Sequence, residues 1–321
     1  MFAYTVKRLF QMLFVLWAVS VLVFLMMSFT GDPVYMVVRI DATDAEVENA
    51  RRILGLDRSL PEQYWFFLTN LMQGEFGNSY VFRQPALDLI VERLPATLEI
   101  VLVAMAIAAI VAIPLGVFAG ANPGHPVSRF IMSGSLLGIS LPGFWVGMML
   151  IYVLAVELRL FPSSGRGETL EFLGIRTSLL TANGWHHILL PAITLSFGTT
   201  AIILRITRAG MMEVMRQDYI RFARAKGASR RGVLYGHGLR NGMIPVVTIF
   251  GLQLGDLIAF ATITETIFAW PGMGKLLIDS IYRADRPVIV VYLMLVALIF
   301  VVVNFVVDLL YTMIDPRITV K

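Results

Sequence analysis

The chain contains no cysteine, so it forms no disulfide, carries no thiolate nucleophile and binds no metal through sulfur. Charge is also scarce, because only 15% of its 321 residues are Asp, Glu, Lys or Arg, whereas about a quarter is usual in soluble proteins. Its four histidines form no His-Glu-x-x-His motif, and no Gly-rich cofactor fingerprint is present. These absences argue against a soluble domain and against the common metal-dependent and cofactor-dependent enzymes.

Long apolar runs take the place of charge. The chain is 57% hydrophobic, with a mean hydropathy of +0.76, and a helix needs about 20 residues to cross the hydrocarbon layer. The runs lack the alternation of a membrane barrel, so we predict an all-α membrane protein. The six predicted transmembrane helices are Leu9–Phe29, Ala96–Ala119, Phe130–Val156, Ile188–Thr207, Ile244–Phe268 and Val288–Met313.

The positive charge is concentrated between the fourth and fifth runs. Arg205–Asn241 holds nine Lys or Arg residues but only two acids, Glu213 and Asp218. Because basic loops stay on the cytoplasmic side of a membrane, this loop and both termini are predicted to be cytoplasmic. A net charge of +4 then reflects inner loops and predicts no nucleic-acid partner.

The basic loop also has local folding signals. Asp218 is expected to cap a short helix through Lys226, and Gly227 to end it. Ser229 is then expected to cap a second helical turn, and Pro245 to lie at the start of the next span. We call this predicted helix–glycine–helix element the knuckle; a rigid shape of this kind favours a docking surface over a simple tether.

The sizeable soluble segment is the first outer loop, Thr30–Pro95, with ten acids against six basic residues. Thr43 and Glu46 form a capping-box pattern before a helix that ends at Gly55. Pro61 opens a second helix that ends at Gly74. About 65 residues with few large apolar side chains predict a small helical cap without a large core of its own.

Several of these residues resemble one transporter family. The string Tyr219-Ile220-Arg221-Phe222-Ala223-Arg224-Ala225-Lys226-Gly227, followed by Arg240-Asn241 and Ile244-Pro245, resembles the cytoplasmic coupling loop of bacterial ATP-binding-cassette (ABC) importer permeases, of the dipeptide/oligopeptide/nickel branch. Where the general importer pattern opens with Glu-Ala-Ala, this chain has Arg221-Phe222-Ala223. Further landmarks in family order are Gly74–Tyr80, Leu141–Trp145, Trp270–Lys275, Asp285–Pro287 and Asp315–Arg317.

The resemblance implies a type I importer permease fold and a set of partners. These are a second homologous permease in a pseudo-twofold heterodimer, two ATPase subunits that bind ATP and Mg, and a periplasmic substrate-binding protein, all at the bacterial inner membrane. The implied ATPase-coupling residues are Tyr219, Arg221, Ala223, Arg224, Ala225, Lys226, Gly227, Arg230, Arg231 and Arg240. The implied binding-protein contacts are Tyr64, Phe76, Tyr80, Trp270, Lys275 and Asp285.

On this basis the chain is divided into 1–29 (cytoplasmic N-terminus and first helix), 30–95 (periplasmic insert), 96–313 (five-helix core with the coupling loop 208–243) and 314–321 (cytoplasmic tail). The chain is not expected to be an enzyme or to bind a cofactor itself. Gly272-Met273-Gly274-Lys275 resembles the end of a phosphate loop, but Leu276 replaces the Ser or Thr that would hold magnesium. Energy must then come from a partner ATPase.

Polar side chains inside spans are functional candidates. Asp256, Gln253 and Glu265 are assigned to the substrate pathway, where Asp256 would bind a terminal amine. The alternative for such a residue is a structural hydrogen bond to a neighbouring span. This alternative is the favoured interpretation for Glu265. The glycine pairs Gly134/Gly138, Gly143/Gly147 and Gly251/Gly255 mark close helix packing, within the chain or against a second permease. His186-His187 is interpreted as interfacial because adjacent helical side chains diverge.

The most direct hypothesis is a permease that moves di- or oligopeptides by alternating access. Nickel chelates, glutathione and opine-like compounds remain alternative substrates. An intramembrane enzyme is the alternative from another class, and it would need catalytic groups that converge at one depth. A secondary transporter is disfavoured because no inverted repeat or broken pair of helices is evident.

Overall fold

The computed structural model describes residues 2–29, 34, 38, 42–229 and 231–314, and helices dominate them. The α-helices are α1 Phe2–Phe29, α2 Asp44–Ile53, α3 Leu60–Gln73, α4 Ala86–Ala121, α5 Pro126–Ser140, α6 Gly143–Leu150, α7 Ala182–Val214, α8 Asp218–Ala225, α9 Arg240–Gly242, α10 Ile244–Ile267, α11 Met273–Tyr282 and α12 Arg286–Ile314. Ile151–Glu157 and Gly232–Leu239 are π-helical. Strands β1 Leu170–Phe172 and β2 Ile175–Thr177 form an antiparallel hairpin with Phe172 opposite Ile175.

Within the described residues, five helices are long and apolar enough to cross a membrane: α1, α4, α7, α10 and α12. The predicted span Phe130–Val156 is wrong as a single continuous helix, because α5 and α6 meet at a bend of 102°. Pro142 causes the break: it has no amide hydrogen, and it disfavours helical geometry at Leu141, which is extended (φ −85°, ψ 130°). If α5 and α6 together form one bent span, the described residues hold six spans, which is the predicted number.

The chain divides into two compact units. The first holds the described residues up to Leu94 together with Leu276–Val302. In it, α3 packs on α1, where the hydroxyls of Ser20 and Tyr64 are 2.9 Å apart and the rings of Phe24 and Tyr64 are 5.4 Å apart. A cluster of Val23 with Val290 and Met294 forms the core beside them.

The helices of the predicted outer insert are confirmed. Thr43 and Glu46 form the capping box of α2, and Gly55 follows that helix with a φ of +68°. Helix α3 ends at Gly74, in the left-handed conformation. Its start has a second capping box, between Ser59 and Glu62, which the sequence analysis missed. In both boxes hydrogen bonds from the cap residue lower the pKa of the glutamate.

The second unit holds Pro95–Lys275 and the described residues from Val303 onward, and it has two recognisable ends. We call one of them the hairpin end. There Trp270 Nε1 donates to Ala96 O (2.9 Å), and Gly165 N donates to Phe268 O (2.9 Å). At the other, the knuckle end, α4 and α7 approach so closely that a Cβ on Gly120 would lie 2.6 Å from Met211 Cβ. The buried side chains of Ile100, Ile188, Ile203 and Leu204 fill the space between the ends.

Candidate functional site

The knuckle begins with α8 at the knuckle end. Gln217 is its N-cap, so the expectation that Asp218 caps the helix is wrong: Asp218 is the first helical residue, where a carboxylate still suits the positive end of the helix. The chain leaves the helix after Lys226, and Gly227 has a φ of +81°. Gly227 is therefore confirmed as the helix break, because L-residues with a Cβ disfavour that conformation.

The second half of the knuckle starts at Ser229, as predicted. Its Oγ accepts from Gly232 N (3.1 Å), and the chain continues through the π-helical turns into α9. Pro245 lies at the start of α10, also as predicted. The two halves are joined where Asn241 Nδ2 donates to Tyr219 Oη at 2.9 Å. This bond closes the knuckle into one element.

The knuckle is seated on the end of α7. A Cβ added to Gly210 would lie 2.7 Å from Gly242 O, and one added to Gly242 would lie 3.0 Å from Met211 Sδ. Ile220 and Val233 are buried beneath the surface of the knuckle. This close packing joins the knuckle to α7 and, through α9, to α10.

The outward surface of the knuckle is basic and partly aromatic. Phe222 is 62% exposed, and Lys226 Nζ lies 4.5 Å from the centre of its ring. Tyr219 is 42% exposed, and Ala223 is half-buried while Ala225 is exposed. The exposed cations are Arg221, Arg224, Lys226, Arg231 and Arg240; Arg230 lies outside the described residues. Exposed aromatic and basic side chains on a rigid element have the composition of a protein-docking surface.

At the hairpin end, a buried ion pair holds the loop between α6 and α7. The carboxylate of Glu99 accepts from Arg166 Nε (3.1 Å) and Nη2 (2.8 Å), and from the amide (3.0 Å) and hydroxyl (2.8 Å) of Ser178. Arg166 also donates to the carbonyl of Arg176, in β2 (2.6 Å). Glu99 is 5% exposed. The sequence analysis missed this network.

The network fixes a hairpin with an uncovered apolar surface. Leu170, Phe172 and Ile175 are all more than half exposed, and Leu173 at the tip is 87% exposed. Within the chain, two short strands with an open apolar side gain little stability of their own. The Glu99–Arg166 pair is therefore one of the contacts that hold the hairpin in position.

The loop before α11 is organised by Glu265. Its side chain is fully buried; it accepts from Lys275 N (2.8 Å) and from Thr97 Oγ1, and a Cβ on Gly272 would collide with it. These contacts favour the structural alternative for Glu265, and its assignment to the substrate pathway stays a prediction. Trp270 is likewise fully buried, so its side chain contributes nothing to a binding-protein surface. Lys275 is half-buried.

The remaining predicted binding-protein contacts lie in the first unit. Asp285 is fully buried, where it accepts from Tyr80 N (3.0 Å) and from Ser79 Oγ, and this burial disfavours its predicted contact with a binding protein. Tyr64 is half-buried against α1. Phe76 and Tyr80 line a cavity of about 690 Å³, and burial raises the pKa of the Tyr80 hydroxyl. Phe76 and Tyr80 thus remain candidates for contact.

The glycine pairs divide between internal packing and open faces. Gly138 packs on Ala201, Gly147 on Thr194 and Gly251 on Val307. An added Cβ at Gly134 or Gly143 would meet nothing within 4 Å. Packing within the chain therefore accounts for three of these glycines. Gly134 on α5 and Gly143 on α6 lie on faces that have no close neighbour within the described residues.

The His186-His187 pair makes separate hydrogen bonds. His186 Nε2 lies 2.6 Å from Leu160 O, and His187 Nδ1 lies 2.9 Å from Asn183 O. Among the described residues no three potential metal ligands cluster. His186 therefore connects the start of α7 to the preceding loop, whereas His187 bonds within α7.

Two family models cover nearly all of the chain. The model for the inner membrane component of binding-protein-dependent transport systems matches residues 112–320, and the model for the N-terminal part of such membrane components matches residues 1–101. The chain belongs to this family of ABC importer permeases. The resemblance read from the knuckle and the landmark motifs is thus confirmed.

Individual relatives agree over the full length. The glutathione transport system permease proteins GsiC of Escherichia coli strain K12 and Shigella flexneri serotype 5b are each 40% identical to the chain over 322 residues, with 100% of both proteins covered. A structure of the MetNI methionine ABC transporter in inward facing conformations superposes with a TM-score of 0.56 at 17% identity, covering 71% of this chain and 96% of that one. At this identity the likeness shows the fold alone, which is the predicted type I permease fold.

Proposed function

We propose that this permease moves small peptides, either di- and oligopeptides or glutathione, across the bacterial inner membrane. The named relatives are glutathione permeases, and glutathione, itself a tripeptide, is one of the alternative substrates named in the sequence analysis. In this proposal the protein forms a pseudo-twofold heterodimer with a second permease, and a periplasmic binding protein delivers the substrate. The domain division and the coupling residues given above belong to the same proposal.

The observation that carries the proposed mechanism is the seating of the knuckle on α7. Two ATPase subunits bind and hydrolyse ATP with Mg, and one of them docks on the basic surface around Phe222. Because the knuckle packs on Gly210 and Met211, closure of the ATPases moves α7 and α10 as rigid bodies, which opens the pathway alternately to each side. The chain itself performs no chemistry in this scheme.

Reconstitution tests this function directly. The complex is purified with its co-purifying subunits, placed in liposomes with its binding protein, and assayed for uptake of labelled alanylalanine and glutathione. We expect uptake of at least one peptide that requires both ATP and the binding protein. Uptake of only a nickel chelate or an opine would replace the peptide assignment, and turnover by the chain alone without nucleotide would contradict the permease mechanism.

The orientation of the termini and loops is a separate prediction, and the absence of cysteine makes it easy to test. The knuckle residue Ala228 and the hairpin residue Leu173 are both exposed, and each is changed to cysteine in its own variant. A membrane-impermeant thiol reagent added outside intact spheroplasts should label Leu173→Cys and leave Ala228→Cys unlabelled, because basic loops are retained in the cytoplasm. The opposite pattern would place the knuckle outside the cell and exclude ATPase docking.

A further inference from the structure

Asp256 lies near the middle of α10, on a face that the rest of the described chain leaves uncovered. Leu252 and Phe260, one turn before and one turn after it, are exposed, and so are Ala259 and Ile263. These positions share one side of an α-helix. Asp256 itself is half-exposed, so a carboxylate lies within an otherwise apolar stripe at mid-span.

The carboxylate is held from one side only. Its Oδ2 accepts from Gln253 Nε2 (3.2 Å), and Gln253 Oε1 in turn accepts from Thr199 Oγ1 on α7 (3.1 Å). Among the residues that the structure describes, no group donates to Asp256 Oδ1 and no Lys or Arg forms an ion pair with it. Thr199 and Gln253 therefore hold Oδ2 of the carboxylate, and Oδ1 receives no hydrogen bond from the described residues.

A charged group at mid-span is unfavourable against lipid and is found facing a bundle interior or a water-filled cavity. The stripe around Asp256 is thus unsuited to lipid, although its other members are apolar. We propose that this stripe lines the translocation pathway and that Asp256 binds the ammonium group of a substrate with a free amino terminus. This inference rests on the proposed function, and it names the chemical class of substrate.

Charge complementarity selects the ligand. An ammonium group donates up to three hydrogen bonds, one of which Asp256 Oδ1 accepts while Gln253 holds Oδ2. Leu252 and Phe260 lie one turn to either side, where they contact the apolar part of the same substrate. The site therefore suits a small peptide with a free amino terminus better than a solute that has no ammonium group.

Accessibility provides the first test. In the otherwise cysteine-free chain, Asp256→Cys is compared with Leu257→Cys, a neighbour that is 5% exposed, in the complete complex in membranes. A water-soluble cationic thiol reagent should label Asp256→Cys and spare Leu257→Cys. Failure to label Asp256→Cys in any nucleotide state would show that the stripe faces lipid or the second permease, and it would overturn the proposal.

Selectivity provides the second test. Uptake of alanylalanine and glutathione is compared with uptake of their N-acetylated forms. The reconstituted complexes carry Asp256→Asn, Asp256→Glu or Glu171→Gln, the last of which is a control that removes an exposed carboxylate. Loss of a charge-assisted hydrogen bond should lower uptake of the free-amine forms about tenfold in Asp256→Asn, with recovery in Asp256→Glu and no change in Glu171→Gln. The same binding protein serves all variants, so ratios of variant to wild type isolate the permease.

The outcomes separate this inference from the proposed function. An equal loss of both substrate forms in Asp256→Asn would assign the residue to packing or to a partner subunit, and unchanged uptake would remove it from the pathway. In both cases peptide import by the wild-type complex still stands. Absence of ATP-dependent peptide uptake by the wild-type complex would contradict the proposed function itself.

Discussion

Replacing Gly227 with valine is expected to lower uptake about tenfold while ATP hydrolysis by the complex continues. The φ of Gly227 is +81° and no atom lies within 4 Å of an added Cβ, so the effect comes from the backbone and not from a steric collision. A left-handed conformation costs a residue with a Cβ roughly 1–2 kcal/mol. Strain of that size shifts the population of the native knuckle by about tenfold, and the docked ATPases then lose their rigid contact. Uptake and phosphate release are measured on the same proteoliposomes.

Two control variants identify the backbone as the cause. Gly236→Val adds the same side chain in the same element, where φ is not positive and an added Cβ also meets no atom within 4 Å, and it should retain uptake. Gly227→Asn should retain much of the activity, because asparagine tolerates the left-handed region. If Gly227→Val transports as well as wild type, the knuckle does not transmit the ATPase movement.

Local signals explain why much of the knuckle was predictable from the sequence. Gly227, Ser229 and Pro245 each act within a few residues of their own position, so their roles as helix break, cap and helix start required no tertiary information. The same holds for the capping box of Thr43 and Glu46. Asp218 was misplaced by one position because Asp is favoured both as a cap and in the first turn.

Tertiary contacts determine the features that could not be predicted from the sequence. Trp270 and Asp285 occupy loops rich in Gly and Pro, and composition cannot distinguish an exposed loop side chain from one that folds back into the core. The burial of Glu265 could not be predicted because its hydrogen-bond donors, at Thr97 and Lys275, lie on other elements. Pro142 indicates a local break in the helix, but the apolar residues on both sides of it did not predict a bend of 102° between α5 and α6.

Removing the carboxylate of Glu99 is expected to lower the stability of the protein more than any other single substitution described above or below. Glu99→Ala leaves the guanidinium of Arg166 buried without its counter-ion, since the two side chains are only 6% and 13% exposed. Breaking a buried pair in this way costs about 3–5 kcal/mol. The loop that carries the β-hairpin should detach first, because Arg166 and Ser178 bracket it. We expect a fall of several degrees in the melting temperature of the purified complex and faster proteolysis within residues 158–181.

The exposed pair of Asp218 and Arg221 provides the matched control. Its atoms are 3.4 Å apart and its side chains are 97% and 74% exposed, so Asp218→Ala should change the melting temperature very little. The double variant Glu99→Leu, Arg166→Met should be more stable than Glu99→Ala alone, because it removes the unpaired charge together with the pair. If Glu99→Ala melts with wild type, or if the double variant is less stable than the single one, the ion pair is not the anchor of the hairpin. Glu99→Ala and the double variant both leave the hairpin sequence unchanged. A difference between them in the proteolysis of the hairpin is therefore caused by the ion pair and not by the strands.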